Sequence, residues 1–229
     1  MPAIDVRSKS SALRTGKEYR EVHEFVDAPG KKDERHDIKI IFEFGEMIRD
    51  DDLALLRKAG VAEEDVDHSL KVAQKALDIA RRTGASVDME FVGRAALFHD
   101  LGKAQTHAIE HGMLGAEAGK KLGLPESITA IMEKHIRGGL TDAEAIELGL
   151  PVKDYSLKTL EERIIIYADR LVDIIMDGMV KTEPEAEERF EEILSTNTRY
   201  GKNETTLQRY LRYHREIQGL IRKEKSNER

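Results

Sequence analysis

The stretch Ala95-Ala96-Leu97-Phe98-His99-Asp100-Leu101-Gly102-Lys103 decides the reading of this chain. It places two ionisable side chains at the end of an apolar run, where burial is costly unless they are paired or bind a cation. His99 shares a helical face with Val92, Ala95 and Ala96. Four other segments repeat the pattern. His68 is in line with Val72, Ala76 and Ile79; His111 with Leu114, Gly115, Ala118 and Leu122. His135 follows Ile128, Ile131 and Met132, and Asp169 follows Ile165 and Ile166. One histidine on an apolar face is ordinarily a hydrogen-bonded core residue. A set of them with two carboxylates points to a metal site, because imidazole nitrogen and carboxylate oxygen suit Zn, Mn and Fe.

The surrounding pattern is helical from about Asp51 onward, with stretches predicted at 52–59, 65–82, 88–101, 107–122, 125–136, 142–148, 159–179, 184–195 and 204–224. Gly84 and Gly123 stand where helices stop, and Thr141, Thr159 and Thr182 each open a capping-box pattern. The expected class is all-α: a helical bundle with an N-terminal extension and additional C-terminal helices. The divisions are 1–50, 51–180 and 181–229. Ile38 to Phe44 suits a strand or a helix, with the balance towards helix. Leu207, Tyr210, Leu211, His214, Ile217 and Leu220 or Ile221 form a stripe at helical spacing. Its plain reading is packing on the bundle; its sharper one is a homodimer contact.

Composition narrows the chemistry. The 229 residues contain no cysteine, which excludes disulfides, thiolate zinc sites, Fe–S clusters and a cysteine nucleophile. A net charge of −7, 5% aromatic residues and no tryptophan disfavour a nucleic-acid polymer as partner. No signal-peptide pattern opens the chain and no stretch has the length and purity of a membrane span, so a cytoplasmic protein without membrane contact is expected.

Six positions also carry a resemblance. His68-Ser69-Leu70-Lys71-Val72-Ala73 and the Ala95–Lys103 stretch resemble the opening half of an HD-superfamily domain. His111-Gly112-Met113-Leu114-Gly115-Ala116-Glu117, Glu133-Lys134-His135 and Tyr167-Ala168-Asp169-Arg170-Leu171 resemble the rest, in order, over roughly residues 52–178. The likeness is to small HDIG-type phosphohydrolases, many of them archaeal. It implies that His68, His99, Asp100 and Asp169 hold a first divalent metal, and that Asp100 bridges to a second completed by His111 and His135. Fe, Mn, Zn, Ni and Co are all compatible, and one ion or two remain open. The implied reaction is hydrolysis of a phosphomonoester or phosphodiester in a small nucleotide-like substrate by a metal-bound hydroxide.

Other positions are less determined. Lys103 suits a phosphate contact or a solvated surface. His107 suits proton donation, phosphate binding, or replacement of His111 as ligand. Arg137, before Gly138-Gly139, suits an anion-binding loop or a structural role, and Asp173 a supporting carboxylate or a solvated end. His36-Asp37 follows a charged run and lacks the apolar approach to His99, so it is read as a solvated segment. Two other classes stay open: a diiron HD-type oxygenase using the same six positions, and a non-enzymatic regulatory HD module.

Overall fold

The computed structural model describes residues 48–227; the Ile38–Phe44 segment and His36-Asp37 lie outside them. Among the described residues all regular secondary structure is helical, without strands. Eleven α-helices occur in order: α1 Asp50–Lys58, α2 Glu63–Arg82, α3 Met89–Phe98, α4 His111–Lys121, α5 Glu126–Lys134, α6 Asp142–Glu147, α7 Leu160–Met176, α8 Glu183–Glu188, α9 Phe190–Thr196, α10 Thr198–Gly201 and α11 Glu204–Asn227. Short 3₁₀ turns at Leu101–Ala104 and Ile136–Gly138 follow α3 and α5.

The core forms where the apolar stripes predict. α2 buries Val66, Val72, Ala73, Ala76, Leu77 and Ile79, and α7 is buried along nearly its whole middle, from Ile164 to Val172. A helix apolar on all sides belongs at the centre of a bundle, and α7 packs on α2, α3 and α11. α3 lies on α2, α5 and α7, while α4 packs on α5 and on the 101–104 turn. Thr141 with Glu144, and Thr159 with Glu162, close reciprocal capping boxes at α6 and α7. Thr182 accepts a bond from the Glu185 amide at the start of α8, and Pro184 sits in its first turn.

Several helices differ from expectation. The 88–101 stretch leaves helical geometry at Asp100, at φ −100° and ψ 15°, and tightens into the 3₁₀ turn. The 107–122 stretch starts only at His111. Before it, the Thr106 hydroxyl accepts from the Ala108 amide at 3.0 Å, the local side-chain bonding that competes with a helix. His107 therefore does not stand one helical turn before His111. The 184–195 stretch divides at Arg189 into α8 and α9. The C-terminal stripe is consumed within the chain: Tyr210, Leu211, Ile217 and Ile221 are buried, and the Tyr167 hydroxyl lies 2.8 Å from His214 Nδ1.

Candidate metal centre

The five elements that bear the motif residues converge. His68 comes from the middle of α2, His99 and Asp100 from the end of α3, His111 from the first residue of α4, His135 from the end of α5, and Asp169 from α7. All are buried except His111, which is half-buried.

Asp100 organises the group. Its Oδ2 lies 3.2 Å from His99 Nε2 and 3.5 Å from His68 Nε2. Its Oδ1 lies 3.4 Å from both His111 Nε2 and His135 Nε2. Asp169 Oδ1 closes the first side, 3.2 Å from His68 Nε2 and 3.3 Å from His99 Nε2. Two donor sets that could hold a metal ion thus share one carboxylate: His68, His99 and Asp100, and Asp100, His111 and His135. A further set joins His68, Asp169 and Asp173.

The imidazole tautomers follow from the helix ends. His99, His111 and His135 each donate Nδ1–H to the carbonyl three residues earlier, those of Ala96, Ala108 and Met132, at 2.7 Å. A carbonyl only accepts, so Nδ1 carries the proton and Nε2 faces the cluster. This outward hydrogen bond is the usual way a ligating histidine is held. His99 Nε2 is fully buried without a hydrogen-bond partner. His111 Nε2 and His135 Nε2 lie 2.8 Å apart. Two lone pairs at that distance repel unless a cation sits between them.

The electrostatics also call for cations. Burial disfavours charge on His99, but the adjacent Asp100 and Asp169 raise its pKa well above the ordinary histidine value. Burial likewise opposes ionisation of Asp100 and Asp169, yet the histidines around them hold both carboxyls well below the usual range. The field that draws a proton to Nε2 draws a divalent cation equally. At His135 burial prevails and lowers the pKa, which disfavours a proton as the cation shared with His111. The nitrogen–oxygen donor set, the orphaned His99 Nε2 and the opposed His111 and His135 nitrogens fit a divalent metal.

The remaining predicted residues surround this centre. Lys103 Nζ is 2.6 Å from Asp100 Oδ2 and 3.6 Å from Asp65 Oδ1. Burial works against its charge, but Asp100 more than offsets this and raises its pKa. His107 turns away from the cluster: its side chain is 63% exposed, and Nε2–H donates to Asp65 Oδ2 at 3.0 Å. Of the two rival histidines, His111 is the one that faces Asp100. Arg137 lines the same cavity as His68, Asp100, Lys103, His111, His135 and Asp169, about 260 Å³ in volume. A larger cavity of about 650 Å³, around Phe91, Glu126 and Glu161, contains no histidine; the candidate metal-ligating groups line the smaller one.

The HD domain profile matches residues 65–172. An uncharacterized protein of Methanocaldococcus jannaschii is 39% identical over 168 residues, 70% of this chain and 92% of that one. The chain belongs to the HD-domain family. A tRNA (cytidine(56)-2'-O)-methyltransferase of Thermoplasma volcanium is 37% identical over 119 residues, 52% of this chain and 35% of that protein. The shared part is thus about a third of that enzyme. The HD domain of the L. monocytogenes phosphodiesterase PgpH, solved with cyclic-di-AMP, superposes with a TM-score of 0.51 at 19% identity, over 74% of this chain and 94% of that one. That likeness concerns the fold. HD domains bind divalent metals, and this one brings together His/Asp groups that could hold them.

The residues that sequence reasoning missed are Asp65, Arg170 and Lys202. Asp65 precedes His68 by three positions on α2, a helical spacing that could have singled it out. Arg170 stood inside a quoted motif without a role. Lys202 carried no signal, because only the fold brings it to the cavity.

Proposed function

We propose that this HD domain hydrolyses a phosphomonoester or phosphodiester in a small nucleotide-like substrate, with one or two divalent metals held by His68, His99, Asp100, His111, His135 and Asp169. The observation that carries this reading is Asp100, whose two oxygens face two separate histidine pairs. Two cations sharing a carboxylate suit in-line displacement at phosphorus. Bound there, divalent metal supplies Lewis-acid activation of water and of the phosphoryl group.

The chain's own side chains have distinct tasks. Asp100 and Asp169 are the anionic donors, and their low pKa keeps them ionised at neutral pH. Lys103, charged and half-buried beside Asp100, stabilises the phosphoryl oxygens as negative charge grows on them. His107, the sequence's candidate proton donor, is exposed, turns to Asp65 and does not line the cavity, so the proton transfer is not assigned to it. Arg137 binds an anionic group at the cavity wall. The family's phosphodiesterase member solved with cyclic-di-AMP lends support to a phosphodiester as one substrate class. The cavity, somewhat below the ~300–1,000 Å³ usual for ligand sites, favours a single nucleotide-sized unit over a polymer.

The test is elemental analysis of protein purified without chelator, followed by a screen of nucleotides and activated phosphate esters. His99→Ala and Asp100→Ala should lose bound metal and hydrolysis while the helical circular-dichroism spectrum persists. Undiminished hydrolysis in both variants would sink the assignment. So would oxygen consumption by iron-loaded protein that cleaves no ester.

A further inference from the structure

The cavity lined by the proposed metal ligands and Lys103 is also lined by three further cations from distant parts of the chain: Arg137 after α5, Arg170 on α7, and Lys202 between α10 and α11. Like charges gathered in one small cavity repel, so each needs an anion.

Their partners within the chain are unequal. Arg170 is more than nine-tenths buried, donates to Asp173 at 3.1 Å and to the Tyr210 hydroxyl at 3.0 Å, and leaves Nε unpartnered. Arg137 reaches Glu147 only at 3.4 Å. Lys202 has no ion-pair or hydrogen-bond partner for its ammonium among the described residues. The cavity's carboxylates are committed elsewhere: Asp100 and Asp169 face the histidines, and Asp173 faces Arg170. Lys202 therefore lacks an anion among the described residues, and Arg137 holds its own only at 3.4 Å from each terminal nitrogen.

The backbone supports the same reading. Among the described residues, Arg137 and Lys202 are the only non-glycine positions at positive φ, +50° and +58°. Lys202 has ψ −86°, near the strained γ-turn region that side-chain-bearing residues seldom occupy. Strained residues of this kind cluster at ligand-binding sites. The two are also held by one device. α11 follows Lys202 directly, and from it Arg209 donates to the Arg137 carbonyl at 2.9 Å while Tyr213 donates to the Gly138 carbonyl at 3.1 Å. The C-terminal helix thus fixes both cations at one cavity.

We propose that Lys202 and Arg137, backed by Arg170, form a second anion subsite that takes a phosphate of the substrate other than the one cleaved. The preferred substrate is then a nucleotide-sized molecule with two separated phosphates. Calling the occupant a substrate rests on the phosphohydrolase reading; the binding preference itself does not. Burial, together with repulsion from Arg170 and Arg137, lowers the Lys202 pKa, and a bound phosphate relieves that repulsion.

Titration calorimetry on full-length protein as purified, in one buffer and salt, compares adenosine 3',5'-bisphosphate with 5'-AMP. Wild type should bind the bisphosphate about 10-fold or more tightly, the scale of one charge-assisted contact. Lys202→Ala should bring that ratio close to one, whereas Lys181→Ala, which removes an exposed charge elsewhere, should leave it intact. Lys202→Gly should lose the preference too, yet raise Tm by relieving the backbone. A lysine kept only for its turn would show the Tm change without the binding change. If either nucleotide is turned over, the KM ratio takes the place of the Kd ratio. Equal binding of the two nucleotides by wild type, binding of neither, or an unchanged ratio in Lys202→Ala overturns the proposal. A Lys202-dependent preference in a protein that cleaves no ester keeps the subsite and rejects the hydrolase; hydrolysis without preference does the reverse.

Discussion

Gly102→Ala tests whether the second donor set depends on backbone contact. Gly102 lies in the 3₁₀ turn after Asp100, against α4. A Cβ there would fall 1.8 Å from the His111 carbonyl oxygen and 2.7 Å from the Gly115 amide nitrogen. Real Cβ contacts essentially never fall below 3.0 Å, so α4 and the turn must separate by about 1.2 Å, the difference between 3.0 and 1.8 Å. Both opposing atoms are backbone, and no rotamer change relieves the clash. Ligand distances tolerate only ~0.2 Å, so His111, the first residue of α4, leaves the Asp100 and His135 set. The three atoms nearest the added methyl all belong to α4, so the donors on α2 and α7 should stay in place. Overpacking of this kind costs about 1–3 kcal/mol, or roughly 2–12 °C in Tm for a chain of this size. On the two-ion reading the variant should retain one tightly bound ion of the two, and lose about 100-fold or more in phosphate-ester hydrolysis. Elemental analysis after gel filtration, with a thermal melt, reads both. Two ions held with wild-type affinity and undiminished turnover would refute the reasoning.

On the same two-ion reading, His135→Ala should cut metal content to one ion and Asp100→Ala should remove both, by elemental analysis; equal losses in the two would argue against a shared carboxylate. Glu187 gives an acid-stability prediction. Burial opposes its charge, but Arg82 and Lys75 bring its pKa down to about 2. The folded chain thus binds fewer protons than the unfolded chain. The stability contribution, about 2–3 kcal/mol, is fully present above about pH 4.5 and lost as pH falls towards 2. Urea melts of Glu187→Gln at pH 5 and pH 3 should show a smaller pH dependence than wild type, and parallel curves would count against the pair. Arg209→Met strands the buried Glu144 carboxylate and frees the Arg137 carbonyl. It should cost about 3–5 kcal/mol by denaturant melt, largely recovered in the double variant with Glu144→Gln; no recovery would show that the loss comes from elsewhere.

The site could be read from the sequence because each ligand-type residue is tied to a local pattern. His68, His99, His135 and Asp169 continue apolar stripes at helical spacing, and a helix that buries its stripe must bury them too. The reading weakened where helical register fails. The sequence placed His107 and His111 on one continuous helix and left them as rivals. The Thr106 hydroxyl, bonded to the Ala108 amide, ends that continuity and frees His107 to pair with Asp65.

What the sequence by itself determined is the helical class, which follows from periodicity within single segments, and the candidate ligands, which follow from apolar-face histidines together with the family resemblance. Tertiary structure decided the rest. It turned the two oxygens of Asp100 towards different histidine pairs, selected His111 over His107, and carried Lys202 from the C-terminal segment to the cavity wall. Such relations join residues on separate helices, up to 134 positions apart from His68 to Lys202. Packing sets their distances, and no local pattern encodes them.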